Sequence, residues 1–323
     1  MKKFIRKVAW FLLPIVVLAY PIDYFLSTNL KKSKQYAEGE YLVWNDIYDG
    51  RIDAGIAIYG SSRAWHHFDT QIIEDSLHAT AYNFGIDAHN FWLEYLRHKE
   101  YLEHNKKPKL ILLSVDVFSL EKKPELINAD QFLPYMFKKD VREFTSSYEG
   151  FSWFDYRLPL LRYYGKTEVM LRAVKNAAGM DRGAPARVKG YMGVKRKWNS
   201  DMDMAKQRKK HYRLNLDSAS IRLFGTFLAE CRNNGIPVVI VYSPEYIEGQ
   251  HFTQNREEGM DLYRSFSQQY KVPFLDYSAD TMCTQKEYFY NATHLNRDGA
   301  DLFTRKLVTD LKNKVPALLP SHP

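Results

Sequence analysis

Four short segments carry residue types that can do chemistry together. Gly60-Ser61-Ser62-Arg63, Asn83-Phe84-Gly85 and Ser114-Val115-Asp116 each end a short apolar run, and Asn291-Ala292-Thr293-His294-Leu295-Asn296 stands near the C-terminus. A serine just after a strand-end glycine is exposed at a tight turn with backbone N–H groups nearby. Its hydroxyl needs a base, because a free hydroxyl is a poor nucleophile near neutral pH. Of the ten histidines, His294 is the best placed by context to be that base. It sits in a loop before a helical segment, preceded by Tyr288-Phe289-Tyr290. A Gly-Ser-Ser turn alone is usually only a turn, and a loop histidine usually only solvated. In order, at opposite ends of one domain, the two point to acyl chemistry through a serine. The neighbours His66 and His67 suggest a metal, but no second cluster at ligand spacing exists, so no metal is expected. No Gly-rich phosphate loop is present, and no cofactor is expected.

The elements that must position these residues read as α/β. Ala54–Tyr59, Ala81–Phe84, Leu110–Val115, Pro237–Tyr242 and Val272–Leu275 are short apolar runs, as strands buried on both faces require. Helical patterns lie between them: a stretch with Asp69 as N-cap before Ile72, Ile73 and Leu77, then Asn90–His104, Ser218–Asn233 closed by Gly235, Asn255–Tyr270 and Asp298–Lys312. Such alternation predicts a doubly wound parallel sheet. Working groups of open α/β sheets gather at the carboxyl ends of the strands, where the three serine, asparagine and aspartate segments fall. The domain boundaries read as an anchor over 1–30, a helical connector over 31–53, the α/β domain over 54–119 and 217–323, and an insertion over 120–216. The insertion is aromatic in its first half and basic in its second, and is expected to form a cap or substrate platform. Its aromatic residues either pack a small core of its own or stack on sugar faces.

Composition bounds the class. Of 323 residues, 45% are hydrophobic, too many for a disordered chain. A mean hydropathy of -0.45 excludes a multi-span membrane protein. Two cysteines, Cys231 and Cys283, exclude a disulfide scaffold and a zinc ribbon and leave at most one bridge. Eleven Lys or Arg lie between Arg182 and Arg213 against Asp201 and Asp203, so this stretch holds the chain's whole positive excess. It suits a solvated loop, anionic lipid headgroups, an acidic polysaccharide or nucleic acid, the last of which export would remove. Lys2, Lys3, Arg6 and Lys7 precede the apolar run Val8–Leu26, interrupted by Asp23. As a helix that run would span about 28 Å, near the hydrocarbon thickness of a bilayer. The expectation is a transmembrane anchor with a cytoplasmic N-terminus and the folded part outside. The competing reading is a cleaved signal peptide with Val17 and Ala19 at the −3 and −1 positions.

On these motifs the sequence resembles the SGNH, or GDSL-type, hydrolase superfamily over roughly 54–116 and 237–312. Within it the likeness is to membrane-anchored envelope members, such as the D-alanine-transfer protein of lipoteichoic acid operons and polysaccharide O-acetyl-transfer proteins. The resemblance implies a flavodoxin-like sheet, Ser62 as nucleophile, His294 as base, and Ser62 and Gly85 as oxyanion N–H donors. Three positions depart from the family pattern. Ser61 replaces an aspartate. Asp116 stands near the place of an asparagine that donates to the oxyanion, whereas a carboxylate only accepts, and one lost donor costs about 2.7–4 kcal/mol. Arg63 or an insertion residue is an alternative donor. Asn291 stands where the triad aspartate belongs; it can orient His294 but brings no charge. A Ser–His dyad completed by a backbone carbonyl, Asp116 or Asp298 is the other arrangement. The function implied is an extracytoplasmic serine esterase or O-acyltransferase of an envelope glycopolymer. The partners implied are an acylated glycopolymer or small acyl ester, the membrane and a membrane-bound acyltransferase, without nucleic acid. The rival is a catalytically weak domain that binds glycopolymer or the acyltransferase.

Overall fold

The computed structural model describes residues 1–87 and 90–320. Its strands are β1 (Ile56–Tyr59), β2 (Ala81–Asn83), β3 (Leu110–Ser114), β4 (Val238–Tyr242) and β5 (Phe274–Asp276). Its helices in chain order are α1 (Lys2–Leu30), α2 (Glu40–Tyr48), α3 (Ser62–His67), α4 (Thr70–Leu77), α5 (Phe91–His104), α6 (Lys139–Thr145) and α7 (Thr167–Ala177). They continue with α8 (Asp201–Arg208), α9 (Ser218–Asn233), α10 (Ile247–Phe252), α11 (Arg256–Tyr270) and α12 (Arg297–Lys314). By compactness the chain forms two units, one of residues 1–45 with 124–186 and one of 46–123 with 187–323. The aromatic half of the expected insertion thus groups with the N-terminal helices, and most of the basic half with the sheet.

In the second unit the five strands form one parallel sheet in the order β2-β1-β3-β4-β5, the flavodoxin-like order. The central strands are buried along their whole length, which is why they read as unbroken apolar runs. Alternate residues face opposite layers. Ile56, Ile58, Leu112 and Val241 pack with Phe68, Ile73, Phe303 and Leu307 of the α3, α4 and α12 side. Tyr59 packs on Phe227, and Phe224 on Phe91 and Tyr263, on the α5, α9 and α11 side. Each such burial contributes roughly 1.5–3 kcal/mol. Asp69 caps α4 by accepting from the N–H groups of Gln71 and Ile72. β5 begins two residues later than the apolar run suggests, because Pro273 has no N–H to give a ladder.

Strand order reverses between β1 and β3, which opens the crevice where such sheets place their sites. Gly60 makes the exit from β1 feasible. Its φ is +144°, and a Cβ there would sit 2.5 Å from the Ser114 carbonyl oxygen of β3.

In the first unit α1 carries exposed side chains along much of its length, Trp10 and Phe11 among them. Its last turns fold inward instead. Asp23 is buried and ion-pairs with Arg162, Ser27 Oγ lies 2.8 Å from Tyr163 Oη, and Asn176 Nδ2 donates to the Asn29 carbonyl at 2.9 Å. The helix contains Pro14 and Pro21. Among the described residues no helix is long and apolar enough to cross a membrane, so the expected transmembrane helix finds no support here. The acid that interrupts the apolar run belongs to a folded core.

Candidate active site

The site lies in the second unit, at the carboxyl ends of β1 and β3. Ser61 is the N-cap of α3, and its Oγ accepts from the Arg63 N–H at 3.2 Å. The same hydroxyl donates to Asp116 Oδ2 at 2.7 Å, so Ser61 is held as a structural cap. Ser62 is the first helical residue, and its Oγ lies 2.8 Å from His294 Nε2. Sequence positions 232 apart are thus in hydrogen-bond contact.

The proton positions follow from the loop that carries His294. Asn291 Oδ1 receives the backbone N–H groups of Thr293 at 3.1 Å and His294 at 2.9 Å. Two N–H donors identify that atom as the amide oxygen. It lies 3.0 Å from His294 Nδ1, which must therefore carry the proton and donate. His294 Nε2 is left with its lone pair toward Ser62, the tautomer a general base needs. Thr293 Oγ1 flanks the same Nδ1 at 3.0 Å, and the Tyr290 ring stacks on His294 at 5.3 Å.

Behind Asn291 stands an acid that the sequence reading took only as a counterweight to the basic stretch. Asn291 Nδ2 donates to Asp201 Oδ2 at 3.2 Å. Asn199 Nδ2 donates to the same oxygen at 2.8 Å. An amide in the triad-acid position fails when it turns its NH2 toward the imidazole. Here the two backbone N–H groups and Asp201 hold it the other way round. Asp298, an alternative acid by sequence, lines a separate cavity beside α12.

His67 joins this loop to the sheet. Its Nε2 accepts from the Leu295 N–H at 2.9 Å and its Nδ1 lies 2.8 Å from Ser243 Oγ, past the end of β4. An imidazole accepting at Nε2 is neutral, and burial with the nearby Arg63, His294 and His66 pushes its pKa well down. His66 Nδ1 bonds the Met192 carbonyl at 2.9 Å, and burial brings its pKa down to about 3. Both histidines act as positioning groups. The basic stretch that His66 touches is fastened down: Met192 N–H donates to Trp65 O, Arg297 N–H to Val194 O, and Asn199 N–H to Tyr290 O, each at 2.8–2.9 Å.

The oxyanion side differs from expectation. Asp116 does not face the nucleophile as a donor. Its Oδ2 accepts from Ser61 and its Oδ1 from the Phe118 N–H at 2.9 Å, so both oxygens hold the turns after β1 and β3. Nearby Glu94 has no partner for either carboxyl oxygen among the described residues. Burial and Asp116 push its pKa well up. The Gly85 N–H is taken by Asn83 Oδ1 at 3.0 Å. Gly85 is required for packing instead, since a Cβ would meet the Trp65 nitrogen at 2.7 Å. Arg63, the alternative donor, gives its guanidinium to the carbonyls of Ser243 and Pro244. The Ser62 N–H, first of a helix and so lacking an intrahelical acceptor, is the expected backbone donor that stays open to an oxyanion. Cys231 and Cys283 are both buried and free, so the bridge left open by sequence does not form.

No protein-family model matches the chain, and no curated protein matches its sequence. It is similar to a solved protein described as an acylhydrolase from Bacteroides fragilis, at 10% identity and a TM-score of 0.36, covering 79% of this chain and 86% of that one. It is similar also to the acetyl xylan esterase AlAXEase, at 10% identity and a TM-score of 0.38, covering 80% of this chain and 98% of that one. Likeness this remote says nothing about chemistry.

Proposed function

We propose that this chain is a serine-dependent carboxylic ester hydrolase or O-acyltransferase of the SGNH type, working on acyl groups of an envelope glycopolymer. The observation that carries the reading is the 2.8 Å contact between Ser62 Oγ and the lone-pair nitrogen of His294, at the carboxyl ends of a flavodoxin-like sheet. Ser62 Oγ attacks the ester carbonyl as its proton passes to His294 Nε2. The Ser62 N–H receives the developing oxyanion. His294 then protonates the leaving alkoxide, and an acyl group remains on Ser62. Water as acceptor gives hydrolysis, and a sugar hydroxyl gives transfer. Asn291 keeps the imidazole in its working tautomer, and Asp201 keeps Asn291 from turning. The glycopolymer, a membrane-bound acyltransferase partner and a place on the outer side of the cytoplasmic membrane belong to the same proposal. The membrane placement is supported by the basic leader and exposed apolar side chains of α1.

A second reading has its own observation. With the Gly85 N–H and Asp116 both engaged elsewhere, the oxyanion is poorly held, which favours a weak catalyst that chiefly binds its polymer. Hydrolysis of p-nitrophenyl acetate by the full chain separates the two. The esterase reading expects turnover that falls to background in Ser62→Ala. Turnover unchanged in Ser62→Ala, or none in a folded wild type, favours the second.

A further inference from the structure

A cavity of about 650 Å³ opens at the start of α12, lined by Lys195, Arg196, Lys197, Lys286 and Arg297 with Trp198. Its size falls within the range of small-ligand sites, about 300–1,000 Å³. Only Glu287 and Asp298 oppose the five cations in its wall. None of the five has an ion-pair partner among the described residues, although cations elsewhere in the unit do: Lys206 pairs with Glu248 at 2.6 Å, Lys189 with Glu74 at 2.5 Å, and Lys306 with Asp280. The stretch bearing three of them is nonetheless held by backbone bonds from Val194 to Arg297 and from Asn199 to Tyr290. An excess of like charge gathered on a concave surface raises the local concentration of anions.

The wall of the cavity includes the end of the loop that carries His294. Asn296 in its wall is two residues from His294. His66, whose ring centroid is 5.4 Å from that of His294, bonds the Met192 carbonyl, three residues before Lys195. Lys286 Nζ lies 4.3 Å from the centre of the Trp198 ring, so one wall joins a cation to an apolar face. A concave cationic pocket suits a charged chain that threads through it better than a flat lipid surface.

We infer that this cavity is an anchoring subsite for an acidic polysaccharide, gripping the carboxylate or phosphate groups of the chain while a neighbouring acylated hydroxyl lies at Ser62. Its second clause rests on the esterase reading; its first stands without it. The test is a binding titration of the full-length Ser62→Ala protein, which consumes no ester, with a fluorescent oligogalacturonate and with a glycerol-phosphate oligomer. A neutral xylo-oligosaccharide, single-stranded DNA and phosphatidylglycerol vesicles serve as competitors. The expected result is binding of an anionic glycan that weakens at least about tenfold between roughly 50 and 500 mM salt, as screening requires. Which oligomer binds tells carboxylate from phosphate. The variant Lys195→Gln/Arg196→Gln/Lys197→Gln is expected to lose about tenfold at low salt, with circular dichroism unchanged. Lys286→Gln, on an exposed turn, gives a smaller loss and serves if the triple variant does not fold. Equal binding by these variants, no preference over the neutral glycan, or displacement of the bound glycan by DNA or vesicles at lower concentration than by unlabelled glycan overturns the inference. Lost glycan binding with intact wild-type ester hydrolysis removes the subsite alone. Intact binding without hydrolysis removes the esterase alone.

Discussion

Two arms of the chain meet at the site, and they are built differently. The serine arm is wired into the interior. Ser61, Ser62, Arg63 and Asp116 are at most 5% exposed, and their bonds run to the ends of β3 and β4. The histidine arm is held by a local turn on Asn291 Oδ1, by the Leu295 N–H donating to buried His67, by the Tyr246 N–H donating to the Ala292 carbonyl, and by Asp201 on an exposed helix start. Buried bonds are expensive to break, because each orphaned group keeps its desolvation cost; exposed ones are replaced by water. Damage to the serine arm is therefore expected to appear as lost stability, and damage to the histidine arm as lost rate.

The largest effect is expected at Asp116. Asp116→Ala strands the Ser61 hydroxyl and the Phe118 N–H, each worth about 1–3 kcal/mol, so chemical denaturation should show a loss of about 3 kcal/mol. A stable Asp116→Ala protein would mean that the turn is not held as described. Next comes acid. His66 and His67 both titrate below the ordinary 6.5 in the folded state, His66 at about 3. Below about pH 6.5 the unfolded chain takes up protons that the folded one refuses. Stability is thus complete above that pH and falls as pH drops, by about 1.4 kcal/mol per unit for each imidazole. At pH 5 the His66 share alone is about 2 kcal/mol. Melting temperatures should decline from pH 7 to 5, and His66→Phe should make that decline shallower; an unaltered slope would mean that His66 is not buried neutral.

The smallest effect is at Asp201, and it bears most sharply on the contrast. Asp201→Ala should leave the melting temperature alone and slow ester hydrolysis about tenfold, or about 1.4 kcal/mol. Placing a carboxylate directly on His294 Nδ1 with Asn291→Asp should restore the rate and raise the acidic limb of the pH profile. A rate and profile indifferent to Asp201 would reduce it to a surface contact.

Much of this was legible in the sequence because strand ends and helix caps are local. Apolar runs marked the sheet, Asp69 and Gly235 marked helix ends, and Ser62 and His294 stood where an α/β fold gathers its groups. What was hidden depends on where a side chain turns. Nothing local tells that the Asn83 amide takes the Gly85 N–H, or that Asp116 faces Ser61 and not an oxyanion. Asp201 left a faint signal as one of two acids in a basic stretch, but its partner lies 90 positions away. Asp23 likewise read as a flaw in an apolar helix, because its partner Arg162 is 139 positions on.

The central claim is that His294 holds the Ser62 hydroxyl ready for attack. Intact-mass and peptide analysis after exposure to a fluorophosphonate measures it directly, since the reagent needs an activated serine and no knowledge of the substrate. One adduct on Ser62 is expected in the wild type, none on Ser61, and none in His294→Ala. An adduct on Ser61, or Ser62 labelling that survives the loss of His294, would contradict the account.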